Sequence, residues 1–210
     1  SPLALPLKTL LRHGLRHLLL SIGAVMFAAL FAVPLGMYIS RRPQLSRLAL
    51  GGFGIMQTIP SLALLAVLLV FFGIGWLPAL ISLVIYALYP IVNNTMIGMR
   101  GIDPSLLEVA RGLGMTRWQV LVRVQLPLAL PVIFAGIRTA TMIAVGTATL
   151  AAFIGAGGLG VPIITGLTTS DMGMILSGAI PAALLAIGLD ILVAYLARIL
   201  TSPGIRYRKA

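Results

Sequence analysis

"DPSLLEVARGLGMTRWQVLVRVQLPLALP", residues 103–131, decides the fold of this chain. It carries the caps, charges and glycines of a soluble helical protein, yet apolar runs flank it on both sides. Asp103 suits an N-cap and Pro104 a first helical position, so a helix is expected to start there. It runs through Leu106, Leu107, Glu108 and Ala110, then meets Gly112 and Gly114, which stop it and permit a sharp reversal. Thr116 with Gln119 three residues on forms a capping box, opening a second helix that presents Trp118, Val120, Leu121, Val122 and Val124. Leu126-Pro127 is expected to end that helix, with Pro131 in the first turns of the next apolar run.

A plain connector between two apolar helices needs only the few residues used at 73–77. The stretch is instead built as a rigid protrusion, with Leu107, Leu113, Met115 and Trp118 beside one carboxylate and several arginines. A half-apolar knob of this kind suits docking to a soluble partner, and equally suits packing on the ends of its own helices.

The rest of the chain explains why the knob stands out. Of 210 residues, 60% are hydrophobic and only 9% charged, and the mean hydropathy is +1.10. Soluble domains are about half apolar and a quarter charged, so this is an integral membrane protein. Five apolar spans are predicted, at about 18–39, 48–72, 76–98, 128–154 and 176–199, each long enough to cross a ~30 Å hydrocarbon layer. Residues 18–199 then form one transmembrane domain, 100–127 a charged loop within it, 1–17 an N-terminal amphipathic segment and 200–210 a basic tail. The formal net charge of +11 sits between the spans and at the ends, with no basic stripe carrying interleaved aromatics, so it reads as topology and not as nucleic-acid binding. With no cysteine there is no disulfide framework, thiolate nucleophile or cysteine metal site.

The excess of Arg and Lys places the Arg41–Arg47 loop, the 100–127 loop and the tail with Arg198, Arg206, Arg208 and Lys209 in the cytoplasm. The uncharged turn "FGIGWLP" at 72–78 and the Gly-rich connection after residue 154 then face outward. Lys8, Arg12 and Arg16 do not fit: they fall outside. Their spacing puts them on one face opposite Leu10, Leu11, Leu15 and Leu18, as in a helix lying flat at the interface, and a span upstream of Ser1 would also change their context. His13 and His17, four residues apart on one face, have a possible metal-ligand spacing but no nearby carboxylate, and no metal is expected. The connection 155–168, with Gly155, Gly157, Gly158 and Gly160, is either an ordinary outer loop or a segment that dips inward under cover of protein or a pathway.

Polar groups inside spans are costly, so they bond another helix or line a pathway. Gln57, Thr58 and Ser61 surround Pro60, which should kink the second span. Asn93 and Asn94 follow Pro90, and Thr139 and Thr147 belong to the threonines of the fourth span. Both readings stay open for each cluster. Arg138 and Asp190 lie at compatible depths, and an ion pair between them would neutralise both.

The motifs now carry a resemblance. Glu108-Val109-Ala110, Gly114 and Val124-Gln125-Leu126-Pro127 fall at the offsets of the EAA loop of ABC-importer permeases, with Val109 for the first Ala and Val124 for Ile. "QTIPSLALLA" (57–66), "YPIVNNTMIGMRGID" (89–103), residues 126–160 and "PIITGL" (162–167) are similar to the permease subunits of glycine betaine/carnitine/choline-type osmoprotectant importers, over roughly residues 20–190. That resemblance implies an all-α, polytopic type I importer permease in the bacterial cytoplasmic membrane. It implies a second permease subunit, identical or paralogous, two cytoplasmic ATP-binding subunits and an extracytoplasmic substrate-binding protein. Glu108, Ala110, Gly114, Met115, Arg117, Leu126 and Pro127 would belong to the coupling loop that meets the ATPase. The chain contains no P-loop, so no catalytic residue and no cofactor are expected in it; ATP and Mg would sit on the partner. Few aromatics are available for a cation cage, which places substrate selectivity mainly in the binding protein. A stand-alone secondary transporter or channel would need inverted repeats or titratable in-span pairs, which the spans scarcely offer beyond Arg138 and Asp190. A non-transporting scaffold is the remaining alternative.

Overall fold

A computed structural model describes residues 6–201, and it is all helix apart from turns. Helix α1 (Leu7–Ile39) is followed by α2 (Pro43–Thr58), α3 (Ser61–Phe72) and α4 (Trp76–Arg100). Two short helices, α5 (Pro104–Gly112) and α6 (Arg117–Val120), lead into α7 (Leu126–Leu150). The chain closes with α8 (Gly160–Thr169) and α9 (Met172–Leu200). Four of these runs are long and apolar enough to cross a membrane, and α2 with α3 makes a fifth, bent by 94° at its break. The tail residues 202–210, with Arg206, Arg208 and Lys209, and residues 1–5 lie outside the described part.

Helix α4 is the hub, packed against α1, α2, α3 and α7. In lipid the approach of helices rests on small residues and not on hydrophobicity, and the contacts show it. A Cβ on Gly36 of α1 would sit 2.7 Å from Thr95 Cβ of α4, and one on Gly136 of α7 would sit 2.7 Å from both Asn94 Cβ and the Pro90 carbonyl. The core between them is lined by fully buried Ala24, Ala28, Ala32, Ala87, Ala140 and Ala144.

Two expectations are corrected here. Residues 7–17 do not form a separate flat helix; they are the first turns of the 33-residue α1. At ~1.5 Å per residue that helix is about 50 Å long, so its first turns project past a ~30 Å hydrocarbon layer. On that geometry Lys8 and Arg12, in the first turns of α1, lie beyond the length that a bilayer core needs. The second correction concerns Leu126-Pro127, which does not end a helix: α6 passes through a π-helical turn, Leu121–Gln125, directly into α7. The Leu126 N–H donates to the Leu121 carbonyl, five residues back. Proline at 127 has no N–H to offer and its ring crowds the carbonyl four residues earlier, and a widened turn accommodates both without a break.

The Gly-rich connection is packed, not loose. Its glycines at 155, 157 and 158 have φ of 74°, 80° and 85°, a left-handed backbone that other residues rarely adopt. A Cβ on Gly160 would lie 1.9 Å from the Thr149 carbonyl, so α8 starts directly against the end of α7. The other uncharged turn joins it: the Gly75 N–H donates to the Ile154 carbonyl at 3.0 Å.

Candidate functional site

The charged end of the bundle is assembled by arginines on backbone and hydroxyl acceptors. Arg100, at the C-terminus of α4, donates from Nε to the Ser40 carbonyl (2.9 Å) and from Nη2 to Ser46 Oγ (2.6 Å). Ser46 in turn donates to the Ile39 and Arg42 carbonyls. These bonds tie the end of α4 to the α1–α2 turn, satisfying carbonyls that a helix terminus leaves without partners. Arg41 donates to Oε1 of Gln125, whose side chain is buried in the π turn. The knob is therefore fastened to α1 at its base.

The knob itself folds by local rules. Asp103 accepts the Ser105 N–H at 2.9 Å, so α5 begins capped. Gly114 has φ +77°, and the Met115 N–H reaches back to the Ala110 carbonyl at 3.2 Å. Thr116 and Gln119 form a reciprocal capping box: Gln119 Oε1 accepts the Thr116 N–H (2.8 Å) and Thr116 Oγ1 the Gln119 N–H (3.3 Å). Of the residues singled out for coupling, Ala110 is buried and Met115, Leu126 and Pro127 are half-buried, whereas Glu108, Gly114 and Arg117 are exposed.

The outward face differs from the expected one. Leu107 and Met115 turn partly inward. Leu106, Val109 and Leu113 are 45%, 61% and 78% exposed, and at 100° per residue they form one stripe along α5 and its C-cap residue, Leu113. Trp118, 71% exposed, stands apart on α6. The i, i+3, i+7 spacing of the stripe was visible in the sequence, but which face of so short a helix packs inward depends on its neighbours.

The intramembrane polar groups turn out to have specific partners. Pro90 lacks the N–H that would bond the Tyr86 carbonyl, and Gln57 fills that place, its Nε2 donating at 3.0 Å. The Tyr86 hydroxyl donates to the Ile59 carbonyl at the α2–α3 break. The two proline interruptions, at 60 and 90, thus satisfy one another across the helices. Thr58 donates to the Ile55 carbonyl and is exposed, and Pro60 caps α3 with Ser61 half-buried beside it. Asn94 donates to the Pro90 carbonyl at 2.8 Å and faces Gly136, while Asn93 and Thr147 are half-buried. Thr139 donates to the Ala135 carbonyl and is exposed. Gln57 and Asn94 are brought to α4's proline; Thr139 is not, and points away from the chain's own core.

Arg138 and Asp190 meet in a two-pronged pair, Nε to Oδ1 at 2.8 Å and Nη2 to Oδ2 at 2.6 Å. It is the one ion pair within 4.0 Å among the described residues, and its side chains are 44% and 31% exposed. Bidentate geometry matches a planar guanidinium to a carboxylate and joins α7 to α9.

His17 is the residue the sequence reading undervalued. It is fully buried, its Nε2 donating to the Val145 carbonyl at 3.0 Å and its Nδ1 accepting the Leu159 N–H at 3.3 Å. That arrangement requires the neutral Nε2–H tautomer and leaves no lone pair for a metal. It ties α1 to α7 and to the Gly-rich connection, where a Cβ on Gly158 would lie 3.1 Å from the ring. Only the Gly-rich run hinted at a close approach, and nothing in the sequence named the ring that makes it.

An all-helical bundle of four spans and one broken span, carrying a capped helix–hinge–helix knob at its charged end, has the fold of a type I importer permease. The chain superposes on a subunit of the methionine ABC transporter MetNI, solved in inward-facing conformations, with a TM-score of 0.80 over 93% of this chain and 98% of that one, at 22% identity. Residues 24–202 match the binding-protein-dependent transport system inner membrane component family, and the chain belongs to it. Among its relatives, the carnitine transport permease protein OpuCB of Listeria monocytogenes is 45% identical over 191 residues, 91% of this chain and 88% of that protein. The glycine betaine/carnitine/choline transport system permease protein OpuCB of Bacillus subtilis is 42% identical over 193 residues, covering 92% and 89%. The osmoprotectant import permease protein OsmW of Salmonella typhimurium is 45% identical over 196 residues, covering 91% of each. The chain is thus a multi-pass inner-membrane permease subunit, and the ATPase of such a system is a separate polypeptide.

Proposed function

We propose that this permease imports a compact quaternary amine such as glycine betaine, carnitine or choline, working with a second permease subunit, two ATP-binding subunits and an extracytoplasmic binding protein. The observation that carries the mechanism is the knob. Helix α5 and its C-cap residue Leu113 hold three large apolar side chains out of the bundle on a capped, hinged support, and none of the described residues covers them. An exposed apolar stripe on a rigid support marks a docking surface. With the arginine-rich end in the cytoplasm, the stripe faces a soluble ATPase, which would hold ATP and Mg. Glu108, exposed on α5, would pair with a basic group of that subunit.

Motion then passes through the fastening at the base of the knob. The run from α6 through the π turn into α7 is continuous, so a push on the knob is delivered along a span and not lost in a loop. Helix α7 packs on α4 at Gly136 and Gly98, and α4 holds the α2–α3 break through Gln57 and Tyr86. Thr58 and Thr139, exposed on this subunit, would face the second permease and the path between the two. The names of the relatives support the substrate class.

The test is uptake by proteoliposomes containing the permease with its cognate ATPase and binding protein. ATP-dependent accumulation of at least one labelled quaternary amine is expected, with no accumulation of methionine. Uptake that persists without the ATPase would place the chain among secondary transporters or channels and refute the proposal.

A further inference from the structure

At the charged end two recesses share one residue. The first, about 460 Å³, is lined by Arg41, Arg111 and Arg117 together with Met115, Val120 and Gln125. The second, about 550 Å³, is mostly apolar and is lined by Pro34, Met37, Tyr38, Trp118 and Leu121, with Arg41 and Arg42 at its edge. Arg41 therefore stands at the junction of a basic cavity and an apolar groove, held there by its bond to buried Gln125.

Three guanidinium groups around one cavity repel one another unless an anion joins them. No carboxylate is among the residues that line this cavity, and the Arg138–Asp190 pair belongs to α7 and α9. Asp171 caps α9 at the opposite end, and Asp103 caps α5. Pro34 lies five residues before the end of α1 at Ile39, so the groove climbs roughly 7 Å from the interface toward the hydrocarbon. A soluble anion has no use for such a wall, and a peptide entering it would strand its backbone groups in lipid. Arg42 lies 4.4 Å from the centre of the Tyr38 ring, which places a further cation at the groove's mouth.

We propose that the cavity of Arg41, Arg111 and Arg117 and the groove it adjoins form one binding site for an anionic phospholipid. The guanidinium groups take the phosphate, and one acyl chain lies along Met37 and Trp118. ATPase docking through the stripe of Leu106, Val109 and Leu113 leaves Arg111 clear, since Arg111 lies well round α5 at 100° per residue; Met115 and Arg117, which the resemblance assigned to the coupling loop, then serve the lipid and not the ATPase. Bound lipid would brace the knob against α1 while the stripe remains free.

Trp118 reports on the groove directly. The sequence has two tryptophans, so Trp76→Phe leaves Trp118 as the single fluorophore in the full chain. In nanodiscs, brominated phosphatidylglycerol and brominated phosphatidylcholine of identical acyl chains are compared at equal mole fraction. Selective quenching by the anionic lipid is expected, with about tenfold tighter relative binding. Arg111→Gln and Arg117→Gln should each lower that preference by about threefold, and Arg123→Gln, an equal charge loss outside the cavity, should leave it unchanged. Because these side chains are exposed, the single variants are expected to fold, and circular dichroism checks it. Equal quenching by both lipids overturns the proposal, as does a preference that survives Arg41→Gln, Arg111→Gln and Arg117→Gln together. Displacement by millimolar inorganic phosphate would make this a soluble-anion site, and loss of quenching on adding the ATPase subunit would make it part of that interface; either result also overturns it.

Discussion

Replacing Gly136 by alanine tests whether close α4–α7 contact holds the bundle together. The added Cβ would lie 2.7 Å from the Pro90 carbonyl oxygen, 2.7 Å from Asn94 Cβ and 3.2 Å from Asn94 Cγ. Two of these are backbone or next to backbone, so no side-chain rotation relieves them. Ordinary contact requires the helices to part by about 1 Å, and a gap of that size forfeits a quarter to a half of each neighbouring dispersion contact. Overpacking of this kind costs about 1–3 kcal/mol, and the upper half is expected because α4 also anchors α1 and the α2–α3 break. The comparison is Gly146→Ala on the same helix, where a Cβ meets nothing within 4 Å. There the gain in helix propensity should stabilise by about 0.5–1 kcal/mol. Unfolding in mixed micelles, followed by circular dichroism against increasing SDS, reads both variants on one scale. Opposite shifts of the midpoint are expected. If Gly136→Ala is as stable as Gly146→Ala, the α4–α7 interface is not the tight contact described, and the route from knob to span loses its stiffest link.

Other outcomes follow from the knob and the charge pair. Val109→Asp with Leu113→Asp should abolish co-purification of the ATPase while leaving insertion unchanged, since burial of each apolar side chain is worth about 1.5–3 kcal/mol; undiminished ATPase binding would show that the stripe is not the contact. Gly114→Ala places a Cβ in left-handed backbone at a cost of about 1–2 kcal/mol, so amide exchange across residues 104–120 should speed up and uptake per ATP hydrolysed should fall. Asp190→Asn leaves Arg138 facing α9 without its partner, and the yield of inserted protein should drop, with the exchanged pair Arg138→Asp and Asp190→Arg recovering most of it; no recovery would mean that the pair acts through something other than mutual neutralisation.

The parts legible in the sequence are those made by near neighbours in the chain. The Asp103 cap, the Thr116–Gln119 box and the left-handed Gly114 are interactions over two to five residues, and each stands in the structure as its residue types require. The apolar runs were legible for the same reason, because a bilayer demands about twenty apolar residues in succession. Pro60 announced a kink, and the 94° break at that point is its outcome.

What the sequence could not settle depends on partners far along the chain. Gln57 reaches the carbonyl that Pro90 leaves free, and His17 reaches Val145 and Leu159 across more than a hundred residues. A polar side chain in an apolar run announces that it needs a partner, but many acceptors are chemically equal and only packing selects one. The π turn before Pro127 has the same origin: local rules allow a proline to end a helix or to be carried through a widened turn. Burial of Gln125 against Arg41 accompanies the second choice. The sequence by itself thus determined five apolar spans, one of them broken, and a capped, hinged loop between the third and fourth, from hydrophobic length and local capping. Only the tertiary structure decided which face of the knob looks outward, which bonds fasten it to the spans, and that its arginines gather beside an apolar groove, because those depend on the positions helices take when small residues let them meet.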